Sequence, residues 1–249
     1  MTKQQMLHIV QTQLAIDLNC ALDDLNGEKD SFVFTLAREN PGRRPYPRGE
    51  QHFELLSMGK AIIVNASPEI LAIVKPQLIG KDRDEAFSMP FISALSLYYL
   101  PELDTIKPLA PPDGFSYELI EREGIPALCQ LKGFEHAVGN SGDHPRPDEL
   151  ALVAKADGKI AGMAGACIDC AHMRQVGMDV LPAYRNRGLA AYLVNQITLE
   201  ILRRGHIPYY GTSPANIPSQ RTAHRAGYYP AWACSYKGRF EGYEMQPTC

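Results

Sequence analysis

The tightest limit on what this chain can fold into comes from Pro182-Ala183-Tyr184-Arg185-Asn186-Arg187-Gly188-Leu189-Ala190. A predicted strand, Arg174 to Leu181, leads into it. A predicted helix, Leu189 to Arg204, leads out, with Ala190, Leu193, Val194, Ile197 and Ile201 as its apolar stripe. The first turn of a helix leaves main-chain N–H groups unpaired, and these donors and the positive end of the helix dipole suit a phosphate. Gly188 has no Cβ and admits a close ligand, Ala190 keeps the turn slim, and Arg185 and Arg187 can add charge-assisted contacts. The same residues are also compatible with an ordinary strand–loop–helix and solvated arginines.

The flanking sequence supplies a context. Phe115–Ile120, Leu150–Lys155 and Ile160–Ile168 read as strands, with Asp157-Gly158 as a hairpin turn between the last two. Gly124 to Ala137 reads as a helix interrupted early by Pro126. After the Leu189–Arg204 helix, closed by Gly205, come a short strand Ile207–Gly211, a helix Ser213–Arg225 ended by Gly227, and a closing strand Tyr228–Tyr236. This order predicts an α/β (α+β) chain with a mixed sheet flanked by helices. Upstream, Lys3–Leu18 reads as a helix with Met6, Ile9, Val10 and Leu14 on one face. Ser31–Leu36 and Lys60–Asn65 read as strands, Ser67-Pro68 starts a helix, and Pro90–Leu100 fits helix or strand. The proline-rich stretch Lys107–Gly114 predicts a boundary between a smaller α/β domain, 1–109, and a second domain, 115–245.

From about Phe115 to Tyr243, roughly half of the chain, the sequence resembles the GNAT N-acetyltransferase superfamily. Val180-Leu181-Pro182 and Arg185-Asn186-Arg187-Gly188-Leu189-Ala190 match that family's V-x-P strand end and [QR]-x-x-G-x-[GA] turn in order and spacing. Asn216-Ile217-Pro218-Ser219 and Gly227-Tyr228 match its downstream N-x-x-[AS] and [GA]-[FY] pattern. The resemblance implies acetyl-CoA as acetyl donor. It implies that the main chain of Met178, Asp179 and Val180 pairs with the pantetheine arm. Arg185, Asn186, Arg187, Gly188, Leu189 and Ala190 would hold the pyrophosphate, and Asn216 and Ser219 the cofactor end. The whole layout is also similar to a bacterial subgroup that includes zwittermicin-resistance-type acetyltransferases, through Leu14–Cys20 and Asp23-Asp24.

The implied activity is transfer of acetyl from acetyl-CoA to a primary amine of a small molecule, by direct attack in a ternary complex. Such transfer needs proximity, a deprotonated amine and a donor for the oxyanion, for which a main-chain N–H of Met178–Val180 is the candidate. Asp179 is the first candidate base, and its plainer reading is a solvent-facing strand residue. Glu135 and His136, at a predicted helix end, are further candidates. The family tyrosine seven residues after the asparagine is here Ala223, so the acid is absent or comes from Tyr209, Tyr210, Ser219 or His224. Two other readings stay open: a protein or peptide N-acetyltransferase, and a CoA-binding regulator without catalysis.

No residue of the first half carries a chemical motif. Its basic loop, Arg43, Arg44 and Arg48, would meet an anionic acceptor or the CoA 3′-phosphate, or else be solvated. The domain would wall the acceptor cleft. Cys167-Ile168-Asp169-Cys170 with His172 invites a zinc reading, but no second ligand pair has suitable spacing, so no metal is expected. With a formal charge of −3, nothing argues for nucleic acid or an acidic membrane as partner. No run has the length of a membrane span, and no signal-peptide core opens the chain. The scattered cysteines, Cys20, Cys129, Cys167, Cys170, Cys234 and Cys249, do not read as a disulfide framework. A cytoplasmic monomer or homodimer is the expectation.

Overall fold

The computed structural model describes residues 1–26, 31–49, 51–140 and 142–240. Cys249, Tyr243 and the last residues of the predicted 115–245 domain lie outside the described residues. In chain order the elements are α1 (Lys3–Leu18), α2 (Leu22–Leu25), β1 (Phe32–Leu36), β2 (Phe53–Ser57), β3 (Ile62–Ala66), α3 (Pro68–Leu78), α4 (Arg83–Phe87), β4 (Ile92–Pro101) and β5 (Ser116–Glu121). They continue with α5 (Ile125–Leu128), β6 (Asp148–Ala156), β7 (Lys159–Ile168), β8 (Met173–Val180), α6 (Leu189–Arg203), β9 (Ile207–Thr212), α7 (Ile217–Arg225) and β10 (Tyr228–Gly238). The chain forms two compact units, Met1–Met6 with Tyr99–Pro230, and Leu7–Tyr98 with Ala231–Cys249.

In the second of these units β1 pairs parallel with β3, which pairs antiparallel with β2, and β2 pairs antiparallel with β10 through Ala233↔Ser57 and Ser235↔Leu55. Alternate residues of β3 face opposite ways, as a strand requires. Ile62, Val64 and Ala66 join Phe53, Leu55, Ile70, Val74, Leu78 and Phe91 in one core. Asn65 faces away from it and is fully buried by satisfied bonds, donating to Leu18 O at 2.8 Å and Thr35 Oγ1 at 2.9 Å. The basic loop is braced internally. Arg44 donates to Asp17 from its main-chain N (2.8 Å) and from Nε (2.5 Å). Arg43 bonds Glu39 and Tyr46 O, and Arg48 bonds the carbonyls of Arg38 and Asp17.

In the other unit β5, β6, β7 and β8 form an antiparallel meander. The β6–β7 hairpin turns on Asp157 (φ 49°) and Gly158 (φ 76°), the two left-handed residues a two-residue turn demands. β9 joins β8 in parallel after the α6 crossover. α6 packs on β6, β7 and β8 through Leu189, Leu193, Val194, Ile197 and Ile201, while Ala190 is only half-buried. A Cβ on Gly162 would stand 3.0 Å from Val180 and 3.2 Å from Leu189 and Leu193, so that glycine lets helix and sheet close together. On the opposite face Ile125, Phe134, Ala137 and Val138 pack on Ala151, Val153 and Met163.

Three expectations change. The predicted helix Gly124–Ala137 shrinks to the short α5, and Gly133 at φ +88° bars a right-handed helix from running on to Ala137. The ambiguous Pro90–Leu100 segment is strand β4. The predicted helix from Ser213 begins at Ile217, with Asn216 as its N-cap.

Candidate active site

Four short structures, all within Tyr99–Pro230, build the site. The first is the turn into α6. Leu181–Tyr184 closes a 3₁₀ turn, then Asn186 (φ 62°) and Gly188 (φ 80°) both adopt left-handed conformations. Asparagine tolerates that region better than other side chains, and glycine is free in it. Gly188 is the N-cap of α6 and has no side chain to cap the helix, so the first-turn N–H groups keep their donor capacity. A Cβ at Gly188 would meet nothing closer than Pro112 Cγ at 4.0 Å, so backbone conformation rather than crowding selects glycine. Arg185 and Arg187 are exposed but anchored. Arg185 Nε donates to Val180 O at 2.9 Å, and Arg187 Nη2 donates to Asp113 O at 3.1 Å while lying 4.5 Å over the Phe115 ring. Each guanidinium has five N–H groups, so donors remain for an anion.

The second is the parting of β8 from β9. Their parallel register holds for Met173↔Ile207 through Val176↔Tyr210 and then ends, while β8 continues to Val180. Gly177, Met178, Asp179 and Val180 pair with Gly165, Ala164, Met163 and Gly162 of β7 on the other edge. Met178 and Asp179 are half-buried, and Val180 is buried.

The third is a seat for the segment Phe134–Val138. Gly165 and Gly177 are paired across β7 and β8. A Cβ on Gly165 would fall 1.9 Å from Ala137 O, and one on Gly177 would fall 1.8 Å from His136 O. The segment therefore lies on bare strand backbone. Two residues beyond Gly177, on the same strand face, Asp179 accepts His136 N at 2.8 Å and Ala137 N at 3.0 Å on Oδ2, and meets His136 Nδ1 at 3.0 Å through Oδ1. Asp148 of β6 holds the next turn by accepting Gly139 N and Asn140 N, each at 2.8 Å. Burial pushes the Asp148 carboxyl up.

The fourth is the start of α7. Asn216 Oδ1 accepts Ser219 N at 3.2 Å as the helix cap, and Ser219 Oγ meets Tyr210 Oη at 2.6 Å. Burial, opposed by the Ser219 bond, pushes the Tyr210 phenol up, and the Asp179 charge adds to the rise.

The structure thus brings Asp179 to His136, and Ser219 to Tyr210. It does not bond the other predicted groups to them. Glu135 is exposed and its Oε1 accepts Gly133 N at 2.9 Å, which holds its carboxyl below the usual range. His224 is exposed on α7, edge-to-face with Tyr99 at 5.9 Å. Tyr209 is fully buried and donates to Asp169, which also binds Arg146 at 2.7 Å. Cys167 joins that cluster, its thiol pushed up to about 12 by burial, and Cys170 lies beyond the end of β7. Among the described residues no three His, Cys, Asp or Glu side chains group as a metal site, and no helix is long and apolar enough to cross a membrane. The Gly177-x-Asp179 spacing was the one available sequence signal for the seat, because residues two apart on a strand share a face.

The turn at Asn186–Gly188 and the parted edge of β8 fall inside a recognised sequence family. Residues 118–228 match the acetyltransferase (GNAT) family. They form a GNAT acetyltransferase domain. No curated protein matches the chain. Solved structures resemble it at low identity. A GCN5-related N-acetyltransferase-like protein from Streptococcus suis 89/1591 is 19% identical over 72% of this chain and 72% of its own, with a TM-score of 0.46. A GNAT-family acetyltransferase from Colwellia psychrerythraea is 15% identical over 71% and 76%, with a TM-score of 0.46. A GNAT-family putative acetyltransferase from Novosphingobium aromaticivorans DSM 12444 is 19% identical over 69% and 81%, with a TM-score of 0.44. The mixed sheet flanked by helices agrees with the GNAT domain.

Proposed function

We propose that this chain is an acetyl-CoA-dependent N-acetyltransferase that acetylates a primary amine of a small molecule by direct attack in a ternary complex. The observation that carries the reading is the uncapped start of α6 after two left-handed residues, placed directly downstream of the β8 stretch that β9 no longer pairs. In this reading the main-chain N–H groups around Arg185–Ala190 bind the pyrophosphate. Met178, Asp179 and Val180 offer strand backbone to the pantetheine arm, and a main-chain N–H there donates to the thioester oxygen as it gains charge. Bound acetyl-CoA supplies the activated acetyl group. Tyr210, kept protonated by burial and linked to Ser219, donates the proton that the departing sulfur needs, in place of a residue at position 223. The zwittermicin-resistance-type layout is proposed as the subgroup on Leu14–Cys20 and Asp23-Asp24.

The test is calorimetric titration with acetyl-CoA. Gly188→Asp and Gly188→Asn put nearly isosteric side chains at a left-handed position that both tolerate, so only the carboxylate differs. Gly188→Asp should bind about 10- to 100-fold more weakly than Gly188→Asn, which is about 1.4–2.8 kcal/mol. Equal affinities would sink the pyrophosphate assignment.

A second reading, a CoA-binding regulator, is favoured by one feature: Ala223 is wholly buried and leaves no acid on that face of α7. Free-thiol release from acetyl-CoA with small primary amines and with a lysine peptide separates the readings. Tight binding without turnover on any of them would favour the regulator.

A further inference from the structure

The seat on Gly165 and Gly177 holds the His136 backbone without help from its ring. Asp179 Oδ2 takes the N–H groups of His136 and Ala137, and the two glycines receive the carbonyls of the same residues. The His136 side chain is 82% exposed, so it adds little burial. Yet Asp179 Oδ1 still engages Nδ1 at 3.0 Å. That contact does one thing the anchoring does not require: it orients an imidazole. A carboxylate oxygen accepts, so Nδ1 carries the proton in the neutral ring and Nε2 is left as a solvent-facing acceptor. Asp179 lies on the stretch of β8 that has parted from β9, where the proposed thioester arm would lie.

The geometry points to His136 as the general base that deprotonates the acceptor ammonium, with Asp179 as its positioning residue. This inference rests on the acetyltransferase reading. In the step, Nε2 takes a proton from the ammonium and passes it to water. The amine nitrogen then forms the C–N bond as the C–S bond breaks, and its remaining surplus proton is matched by the proton delivered to sulfur. The products are amide, thiol and one released proton. The imidazole is faced by Glu135 on its own segment and by Asp179 from β8. Asp148 from β6 holds the neighbouring turn, and Tyr210 from β9 lies within electrostatic reach of Asp179. Protonation of the ring removes the base, so activity should fall as pH falls.

Two measurements test this. Long-range ¹H–¹⁵N correlation on the labelled protein should show His136 as the Nδ1–H tautomer in wild type, and that preference should disappear in Asp179→Asn. Thiol release from acetyl-CoA with a panel of primary amines should give kcat/KM about 10²–10³-fold lower for His136→Gln, with the acid limb of the pH profile gone. Acetyl-CoA affinity and melting temperature should stay at the wild-type values. A His136→Gln enzyme within threefold of wild type and with the acid limb intact overturns the role, as does an Nε2–H tautomer in wild type. Wild type that binds acetyl-CoA but acetylates no amine overturns the transferase reading itself, and the base falls with it.

Discussion

Arg43-Arg44 with Arg48 and Arg185 with Arg187 read alike as short basic loops, each beside a proline, and each suggests an anion. In the unit of Leu7–Tyr98 the arginines are committed inward. Arg44 and Asp17 form an ion pair with less than a tenth of either side chain exposed, and Arg48 is held by two carbonyls. In the unit of Tyr99–Pro230 the arginines lie on the surface, Arg185 donating to Val180 O and Arg187 to Asp113 O over the Phe115 ring, beside a helix start that has no side-chain cap. Local composition does not separate the two loops. What separates them is a carboxylate 27 residues upstream in one case and an unpaired set of main-chain donors in the other.

If that contrast is right, the first loop governs stability and the second governs binding. Asp17→Ala removes the buried carboxylate that Arg44 bonds and should cost about 3–5 kcal/mol in chemical denaturation, with acetyl-CoA affinity per folded molecule unchanged. A loss below about 1 kcal/mol would break the contrast. The same loop should show its own pH dependence through His52, whose imidazole is pushed down to about 4 by burial and then by Arg48. With a folded value below the unfolded one, its contribution is complete above about pH 6.5 and is lost as pH falls toward 4, by up to about 3 kcal/mol. His52→Gln should flatten that part of the stability–pH curve, and an unaltered curve would remove His52 from the account. The Gly188→Asp and Gly188→Asn pair comes next in size. Smallest is Arg187→Ala, which should weaken acetyl-CoA about three- to tenfold with little change in melting temperature. Arg43→Ala should leave that affinity alone.

The local parts of this molecule are legible in its sequence. α1 follows the spacing of Met6, Val10 and Leu14, the β6–β7 hairpin follows Asp157-Gly158, and the α6 turn follows Gly188. β2 is not legible. Phe53-Glu54-Leu55-Leu56-Ser57 is short and does not alternate cleanly, and it becomes a strand through partners at Ile62–Ala66 and Ala233–Ser235. The predicted helix over Gly124–Ala137 failed for a related reason, since that segment is shaped by what it rests on. Asp179 and His136 are 43 residues apart, and only the Gly165↔Gly177 pairing makes room for them to meet. Candidate residues could be named singly from sequence, whereas their pairing depends on strand register.

The register of β2 with β10 also has a consequence for the order in which the protein is made. The unit that starts at Leu7 needs Ala233–Ser235 to occupy the edge of β2, and those residues leave the ribosome after all of Tyr99–Pro230. The unit begun early is therefore completed last, through a contact between residues far apart in sequence, the kind that forms slowly. Until then the β2 edge waits unpaired, which is the state most open to wrong partners.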